Sequence, residues 1–179
     1  MTSSLIVVTG PPGAGKSTLA RELAQQFDPS VLVEGDAFFN FLARGAIDPW
    51  LPESNEQNNV VVRAAATATA AFAGGGYTTV YDGVMGPWFL DEFMAAGGIE
   101  RVEYVVLMPS VERCVARVFT RENHGFTDEA GTRKMHAEFA AAVVDPRHVL
   151  ASPPDDLGEL VDMVCAALAR GSLTYEPGS

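Results

Sequence analysis

A short segment near the start of the chain contains the residues with the clearest chemical role. The spacing Gly-x-x-x-x-Gly-Lys-Ser begins at Gly10 and ends with Lys16 and Ser17. Glycine adopts backbone conformations that aim successive N–H groups into one concavity, where a phosphate group can sit. Lys16 should reach the outer phosphates, and the Ser17 hydroxyl should ligate Mg²⁺. The segment therefore predicts a binding site for a nucleoside triphosphate and its magnesium ion.

The residues on either side of this segment provide the context that such a loop needs. Leu5–Thr9 is a short apolar run rich in β-branched residues, which predicts a buried strand. Residues 16–27 have apolar side chains at helical spacing, so a helix should follow. Strand, loop and helix in this order match the P-loop pattern; the alternative is an ordinary Gly/Pro turn before a helix. The residues expected to contact the nucleotide are Gly10, Pro11, Pro12, Gly13, Ala14, Gly15, Lys16, Ser17 and Thr18.

Two aspartates follow other predicted strands. Asp36 comes after the apolar residues 31–33, and Asp82 ends the run 77–81. A carboxylate beside a terminal phosphate can orient a hydroxyl nucleophile and accept its proton, which is the role expected for Asp36. Asp82 is expected to hold Mg²⁺ through water or to bind substrate. The alternatives are that Asp36 caps the next helix and that Asp82 belongs to a simple Asp-Gly turn.

Basic residues are concentrated in one predicted helix. Arg113, Arg117 and Arg121 recur every four residues, so they lie on one helical face. Like charges at this spacing destabilise a helix unless an anion compensates them. This pattern favours contact with a nucleotide, and the alternative is a solvated arginine face paired with Glu112 and Glu122.

The order of the predicted elements indicates the fold class. Strands and helices alternate, which predicts one α/β domain over residues 1–179 with a five-stranded parallel sheet covered by helices on both faces. Ligands bind such sheets beyond the carboxyl ends of the strands, where the three candidate segments would converge. The predicted strands span residues 5–9, 31–33, 77–81, 102–107 and 148–150, and the predicted helices span 16–27, 37–43, 55–73, 87–96, 111–121, 129–143 and 157–169.

The composition excludes several classes of protein. The chain has 179 residues and a formal net charge of -11, so an acidic surface should repel nucleic acid. No apolar run approaches the roughly 18 residues that a membrane span needs. With two cysteines in helical patterns, we expect reduced thiols and a cytoplasmic location. The oligomeric state stays open between monomer and homodimer.

From the loop onward, over about residues 5–170, the chain resembles the small P-loop kinases that phosphorylate hydroxyl groups of metabolites. Shikimate kinase, gluconate kinase and chloramphenicol phosphotransferase belong to this group, and the chain looks closest to the small ATPase/kinase-like proteins of the AAA type. The resemblance implies a P-loop NTPase fold, ATP and Mg²⁺ as cofactors, and a small-molecule hydroxyl acceptor. It also implies a short lid over about residues 117–132.

The resemblance assigns roles to single residues. Asp36 would bind the acceptor hydroxyl, and Arg117 and Arg121 would stabilise charge on the transferred group. Arg113 would contact the nucleotide. Arg63 lies in a region that often contains a substrate-binding arginine. Phe39 is expected to belong to an aromatic wall that faces the acceptor. Further candidates for this wall are Phe38, Phe41, Trp50 and Trp88. The alternative for each of these residues is a place in the hydrophobic core.

Several functions remain open at this stage. A kinase acting on a small-molecule hydroxyl is favoured, and the alternatives are a nucleoside or nucleotide kinase and a nucleotide-dependent switch that transfers nothing. A polynucleotide 5′-hydroxyl kinase is disfavoured by the acidic balance. A sequence without an Asn-Lys-x-Asp signature favours ATP over GTP. The acceptor itself stays open among antibiotics, sugar acids and nucleoside-like products.

Overall fold

A computed structural model describes residues 5–120 and 128–178 of the chain. A six-stranded sheet forms its centre, with strand order β2-β3-β1-β4-β5 and β6 paired with β4. The first five strands are parallel, as predicted, and β6 runs antiparallel to β4. The strands are β1 (Leu5–Thr9), β2 (Ser30–Glu34), β3 (Thr78–Asp82), β4 (Val102–Leu107), β5 (Val149–Leu150) and β6 (Thr174–Tyr175).

Helices cover both faces of the sheet because its central strand is apolar on both sides. In β1, Leu5 and Val7 pack into one hydrophobic cluster, and Ile6 and Val8 pack into another. Helices α3, α4 and α6 contribute to the first cluster, and α1, α5 and α7 contribute to the second. The helices are α1 (Lys16–Ala24), α2 (Asp36–Phe39), α3 (Asn55–Gly74), α4 (Pro87–Gly97), α5 (Val111–Thr120), α6 (Glu129–Ala141) and α7 (Leu157–Ala169). None of these helices, within the described ranges, is long and apolar enough to cross a membrane.

The register of the central strands brings three loops to one edge. Val8 of β1 and Glu34 of β2 both pair with Asp82 at the end of β3. The Gly35 N–H donates to the Asp82 carbonyl at 2.7 Å, which joins the ends of β2 and β3 directly. The glycine-rich loop and the two aspartate segments therefore open at the same side of the sheet.

Helices α1 and α2 differ from their predicted bounds and β6 was not predicted, each for a local reason. Helix α1 ends at Ala24, and not at residue 27, because the next amides bond to carbonyls three residues back, with Gln26 donating to Leu23 at 3.0 Å. Helix α2 begins at Asp36 and ends at Phe39, since residues 40–42 also adopt the tighter pattern. Strand β6 is a two-residue strand that is too short to produce an alternating pattern.

Candidate active site

The loop between β1 and α1 is pressed against the backbone of neighbouring elements. Gly10 has φ +142°, and a Cβ there would lie 2.2 Å from the Leu107 carbonyl oxygen. Gly13 has φ +78°, and its Cβ would lie 2.2 Å from the Cys114 carbonyl oxygen. Gly15 caps the loop with φ +101° just before α1. The left-handed turns and close approaches explain why glycine occupies these positions.

Positive charge converges on this loop from two sides. Lys16 is only 8% exposed, and its Nζ donates to the Pro11 carbonyl at 3.2 Å, so the ammonium lies over the loop. Arg117 of α5 donates to the Ala14 carbonyl at 3.3 Å. Helix α1 begins at Lys16, and the first amides of a helix have no partner within it. The loop, two cations and a helix N-terminus together form a cradle suited to phosphate groups.

Ser17 and Asp82 form the part of the site that fits a metal ion. Asp82 is 7% exposed, and its Oδ1 is buried with no hydrogen-bond partner among the described residues. Burial raises the pKa of Asp82, whereas its hydrogen bond with Ser17 and the nearby charge of Lys16 lower it. A cation beside Ser17 would give the Asp82 Oδ1 atom a partner and would favour the ionised form of the Asp82 carboxyl. No cluster of three or more His, Cys, Asp or Glu suited to a metal occurs in the described ranges.

Asp36 differs from Asp82 in its exposure. It lies in the first turn of α2, follows the N-cap residue Gly35 and lines a cavity that starts at the loop. No side-chain capping bond forms at this helix start, so the interpretation of Asp36 as a cap is wrong. Its carboxylate is exposed to the cavity and is available for a ligand.

Tyr81 lies between the two aspartates, and the sequence analysis missed it. A Cβ on Gly35 would meet the Tyr81 hydroxyl oxygen at 2.3 Å, and a Cβ on Gly83 would lie 2.9 Å from it. Burial raises the pKa of Tyr81, and the charges of Asp36 and Asp82 raise it further, so the hydroxyl stays neutral. The only signal in the sequence was a tyrosine directly before the strand-terminal Asp82.

The cavity extends from the loop across the carboxyl edge of the sheet, with a volume of about 870 Å³. Lys16 and Ser17 lie at its phosphate end, and Asp36 lies beside them. The remaining wall is largely apolar and aromatic, with a few polar groups. Its members include Phe39, Pro49, Trp50, Leu51, Asn58, Val61, Val62, Tyr81, Val84, Trp88, Phe89, Asp128, Lys134, Met135 and Glu138.

Several predicted site residues meet in this region, and others do not. Arg113 forms an ion pair with Asp155, and its contact with the nucleotide stays a prediction. Arg63 is exposed on α3 and is not among the residues that line the cavity, and its role in substrate binding stays a prediction. Arg121 and the other residues of the expected lid from 122 to 127 lie outside the described residues. The alternative in which Glu112 pairs with the arginine face of α5 is wrong, because Glu112 forms its ion pair with Arg133, at 3.8 Å.

The aromatic wall is partly as expected. Phe39, Trp50 and Trp88 line the cavity. Phe38 packs against the core, and Phe41 is 76% exposed. The wall gains further residues that sequence reasoning missed, because long-range packing of β3, α3, α4 and α6 supplies them. They are Tyr81, Phe89, Asn58, Met135 and Lys134.

Comparisons with known proteins agree with this architecture. The AAA domain family matches residues 5–146 of the chain. No protein of curated function matches its sequence. A sugar kinase from Janibacter sp. HTCC2649 superposes with a TM-score of 0.69 at 22% identity, over 97% of this chain and 99% of that one.

Two further solved structures share the fold at lower identity. A gluconokinase from Sinorhizobium meliloti 1021 gives a TM-score of 0.63 at 20% identity, over 96% of this chain and 94% of that one. The tunicamycin resistance protein of Deinococcus radiodurans gives 0.63 at 15% identity, over 93% and 95%. These similarities confirm the expected α/β P-loop NTPase fold.

Proposed function

This chain belongs to the AAA domain family, and from that premise we propose that it is an ATP-dependent kinase that phosphorylates a hydroxyl group of a small molecule. One observation carries the proposal: Lys16 and Ser17 of the loop line the same cavity as Asp36. The cavity continues well beyond the loop, so a second molecule has room beside the terminal phosphate.

The nucleotide half of the reaction depends on the loop. Its amides and Lys16 would bind the phosphates, and Arg117 would add positive charge where charge builds up during transfer. Magnesium, held by Ser17 and Asp82 together with phosphate oxygens, would neutralise negative charge on the triphosphate. ATP is favoured over GTP because the sequence has no Asn-Lys-x-Asp signature.

The acceptor half of the reaction depends on Asp36. Its carboxylate would orient the acceptor hydroxyl and accept its proton late in the transfer. The acceptor oxygen forms a bond to the γ-phosphorus while the bond from that phosphorus to the bridging oxygen of the β-phosphate breaks. ADP and a phosphate monoester result. Because phosphoryl transfer relies mainly on positioning, a single carboxylate beside the loop is sufficient to activate the acceptor hydroxyl.

The structural neighbours support the same class of reaction, since a sugar kinase and a gluconokinase are among them. A nucleotide kinase is less well supported. A phosphorylated acceptor needs cations in its pocket, and the cationic side chains lining the described cavity are Lys16, at the phosphate end, and Lys134. A switch without an acceptor would have no use for an exposed carboxylate at the position of Asp36.

The deciding experiment is a screen of hydroxylated metabolites and antibiotics with ATP and Mg²⁺. We expect at least one compound to gain the mass of one phosphate, with equimolar ADP. The Lys16→Ala variant should yield no product, and Arg101→Ala, which changes an exposed arginine away from the cavity, should behave as the wild type. ATP hydrolysis at the same rate with and without every compound, unchanged by Asp36→Asn, would instead favour the switch.

A further inference from the structure

The outer wall of the cavity is formed by a strap, residues 47–54, that side chains of α3 hold in place. Gln57 accepts a hydrogen bond from the Ile47 N–H at 2.7 Å and donates to the Ile47 carbonyl at 2.6 Å. Asn58 donates to the Pro49 carbonyl at 2.8 Å and to the Ser54 hydroxyl at 2.9 Å. Most of the strap is exposed, and these bonds tie it to α3.

The orientation of the Asn58 amide is fixed by its partners. A carbonyl oxygen only accepts, so the amide nitrogen must face Pro49. Ser54 is fully buried, and its hydroxyl lies 2.7 Å from the Leu51 carbonyl, to which it donates. These contacts pin both ends of the short stretch that contains Trp50 and Leu51, and both of these side chains line the cavity.

Aromatic groups from the strap, α2 and α4 line this space. Trp50 of the strap is 42% exposed, and Trp88 of α4 is 43% exposed, although both border the cavity. The Trp88 ring is held edge-on to Phe139 with the ring centroids 5.1 Å apart. Phe39 of α2 completes the set. Partly exposed aromatic rings around a cavity are typical of a site that binds an apolar or ring-bearing molecule.

The charge of the same half of the cavity is negative. Its acidic lining residues are Asp36, Asp128 and Glu138. Among the described lining residues outside the loop, the cationic side chain is Lys134. The Lys134 ammonium lies 3.9 Å from the Glu138 carboxylate, and this carboxylate offsets the positive charge of Lys134. An acceptor that carries a carboxylate or phosphate would therefore enter an unfavourable field, beside the triphosphate as well.

We infer that this half of the cavity selects a ring-bearing alcohol with no anionic group, and that Gln57 and Asn58 position the strap wall that recognises it. That the ligand is an alcohol rests on the proposed function, whereas the selection of an uncharged ring concerns binding alone. The inference separates this chain from its gluconokinase neighbour, whose named substrate is a carboxylate. Gln57 and Asn58 are positioning residues, since they act through the strap.

Binding can be measured without catalysis because both tryptophans of the chain, Trp50 and Trp88, line this cavity. The probes are two matched pairs: 3-phenyllactate with its methyl ester, and shikimate with its methyl ester. We expect each ester to change the tryptophan fluorescence at a concentration at least about tenfold lower than its acid, because the members of a pair differ mainly in charge. Equal or tighter binding of the acids, or no response to either ester, would overturn the inference.

Phosphate transfer to the same four probes, measured by mass, separates the two proposals. Esters that bind without being phosphorylated would count against the kinase and leave the selection of uncharged rings standing. Phosphorylation of an acid in preference to its ester would support the kinase and overturn the selection.

The role of the strap is tested by Gln57→Leu, with Gln26→Leu as the matched control. Gln26 is an exposed glutamine that does not line the cavity, and its side chain donates to the Glu22 carbonyl. Gln57→Leu should weaken ester binding, or raise KM for an accepted ester, by about tenfold with ATP affinity and kcat unchanged. An equal loss of ATP affinity would mean a general structural role, and unchanged ester binding would mean that the strap does not recognise the acceptor.

Discussion

Two aspartates near the loop have contrasting surroundings. Asp36 is exposed to the cavity, whereas Asp82 is buried beside Ser17. Neighbouring carboxylates in different environments commonly take different roles. Asp36 suits contact with a mobile acceptor, and Asp82 suits a fixed cation.

At Asp36, we expect Asp36→Asn to leave ATP binding nearly unchanged and to reduce phosphate transfer by about 100-fold to 10,000-fold. The amide keeps the size of the side chain but no longer accepts a proton. Binding of a fluorescent ATP analogue and the yield of phosphorylated product measure the two effects. Asp162→Asn, at an exposed aspartate of α7 that does not line the cavity, is the control. Transfer at the wild-type rate in Asp36→Asn would remove this residue from the mechanism.

At Asp82, burial raises the pKa of the carboxyl in the folded protein above its usual value of 3.8. A group with a raised folded pKa stabilises the protein below that usual value, and this contribution is lost as pH rises through the folded pKa. Without ligands, Asp82→Asn should therefore have a higher unfolding temperature than the wild type at pH 7, and the difference should shrink towards pH 4.

The same substitution should impair function while it stabilises the fold. We expect Asp82→Asn to need a higher Mg²⁺ concentration for half-maximal ATP turnover, because a neutral amide is a weaker ligand than a carboxylate. Calorimetry across pH and a magnesium titration give the two readings. A lower unfolding temperature than the wild type at pH 7 would show that the buried carboxylate is not a source of instability.

At the level of elements, the close contact between the loop and α5 makes Gly13 sensitive to substitution. Gly13→Ala combines a left-handed backbone with a Cβ 2.2 Å from the Cys114 carbonyl oxygen, which is main chain and does not rotate away. Gly45→Ala is the matched control, since its φ is +74° but nothing lies within 4 Å of the added Cβ.

We expect Gly45→Ala to lower the free energy of unfolding by about 1 kcal/mol through backbone strain alone. Gly13→Ala should lose about 1 to 3 kcal/mol more and should also weaken ATP binding, because the loop must shift. Urea unfolding of both variants checks the difference. Equal losses would show that the loop has room to relax away from α5.

The sequence predicted those elements whose pattern is local. The strand before Gly10 and the helix after Gly15 are visible as an apolar run and a helical stripe, and the loop motif has a fixed spacing. The end of α1 and the extent of α2 depend on a change to tighter hydrogen bonding, which leaves no periodic signal. The same is true of the strap, whose position depends on side chains ten residues away in α3.

The candidate site was predictable in its phosphate half and less so in its acceptor half. Lys16 and Asp36 follow strands, so parallel topology alone brings them to one edge. Arg63 and Arg113 were assigned by resemblance, and the structure directs one to solvent and the other to Asp155. Tyr81 was overlooked because a tyrosine at a strand end usually belongs to the core.

At the level of the whole molecule, ATP with Mg²⁺ should stabilise the fold. A ligand at 100 times its Kd adds about 2.7 kcal/mol, which raises the unfolding temperature of a domain of this size by about 5 to 10 °C. Differential scanning fluorimetry measures the shift. Lys16→Ala should show less than about 2 °C under the same conditions, because it lacks the ammonium that lies over the loop. A full shift in that variant would place the nucleotide elsewhere.

The C-terminal elements lie beyond the AAA domain match, which ends at residue 146, yet they complete the second hydrophobic cluster. Leu160 and Val164 of α7 pack in the cluster that contains Ile6 and Val8, and the Tyr104 N–H donates to the Leu173 carbonyl at 2.8 Å. A protein shortened at residue 146 would lose β5, β6 and α7, and would expose to water the part of the second cluster that α7 covers. Residues outside the matched segment therefore contribute to the stability of the sheet that carries the loop.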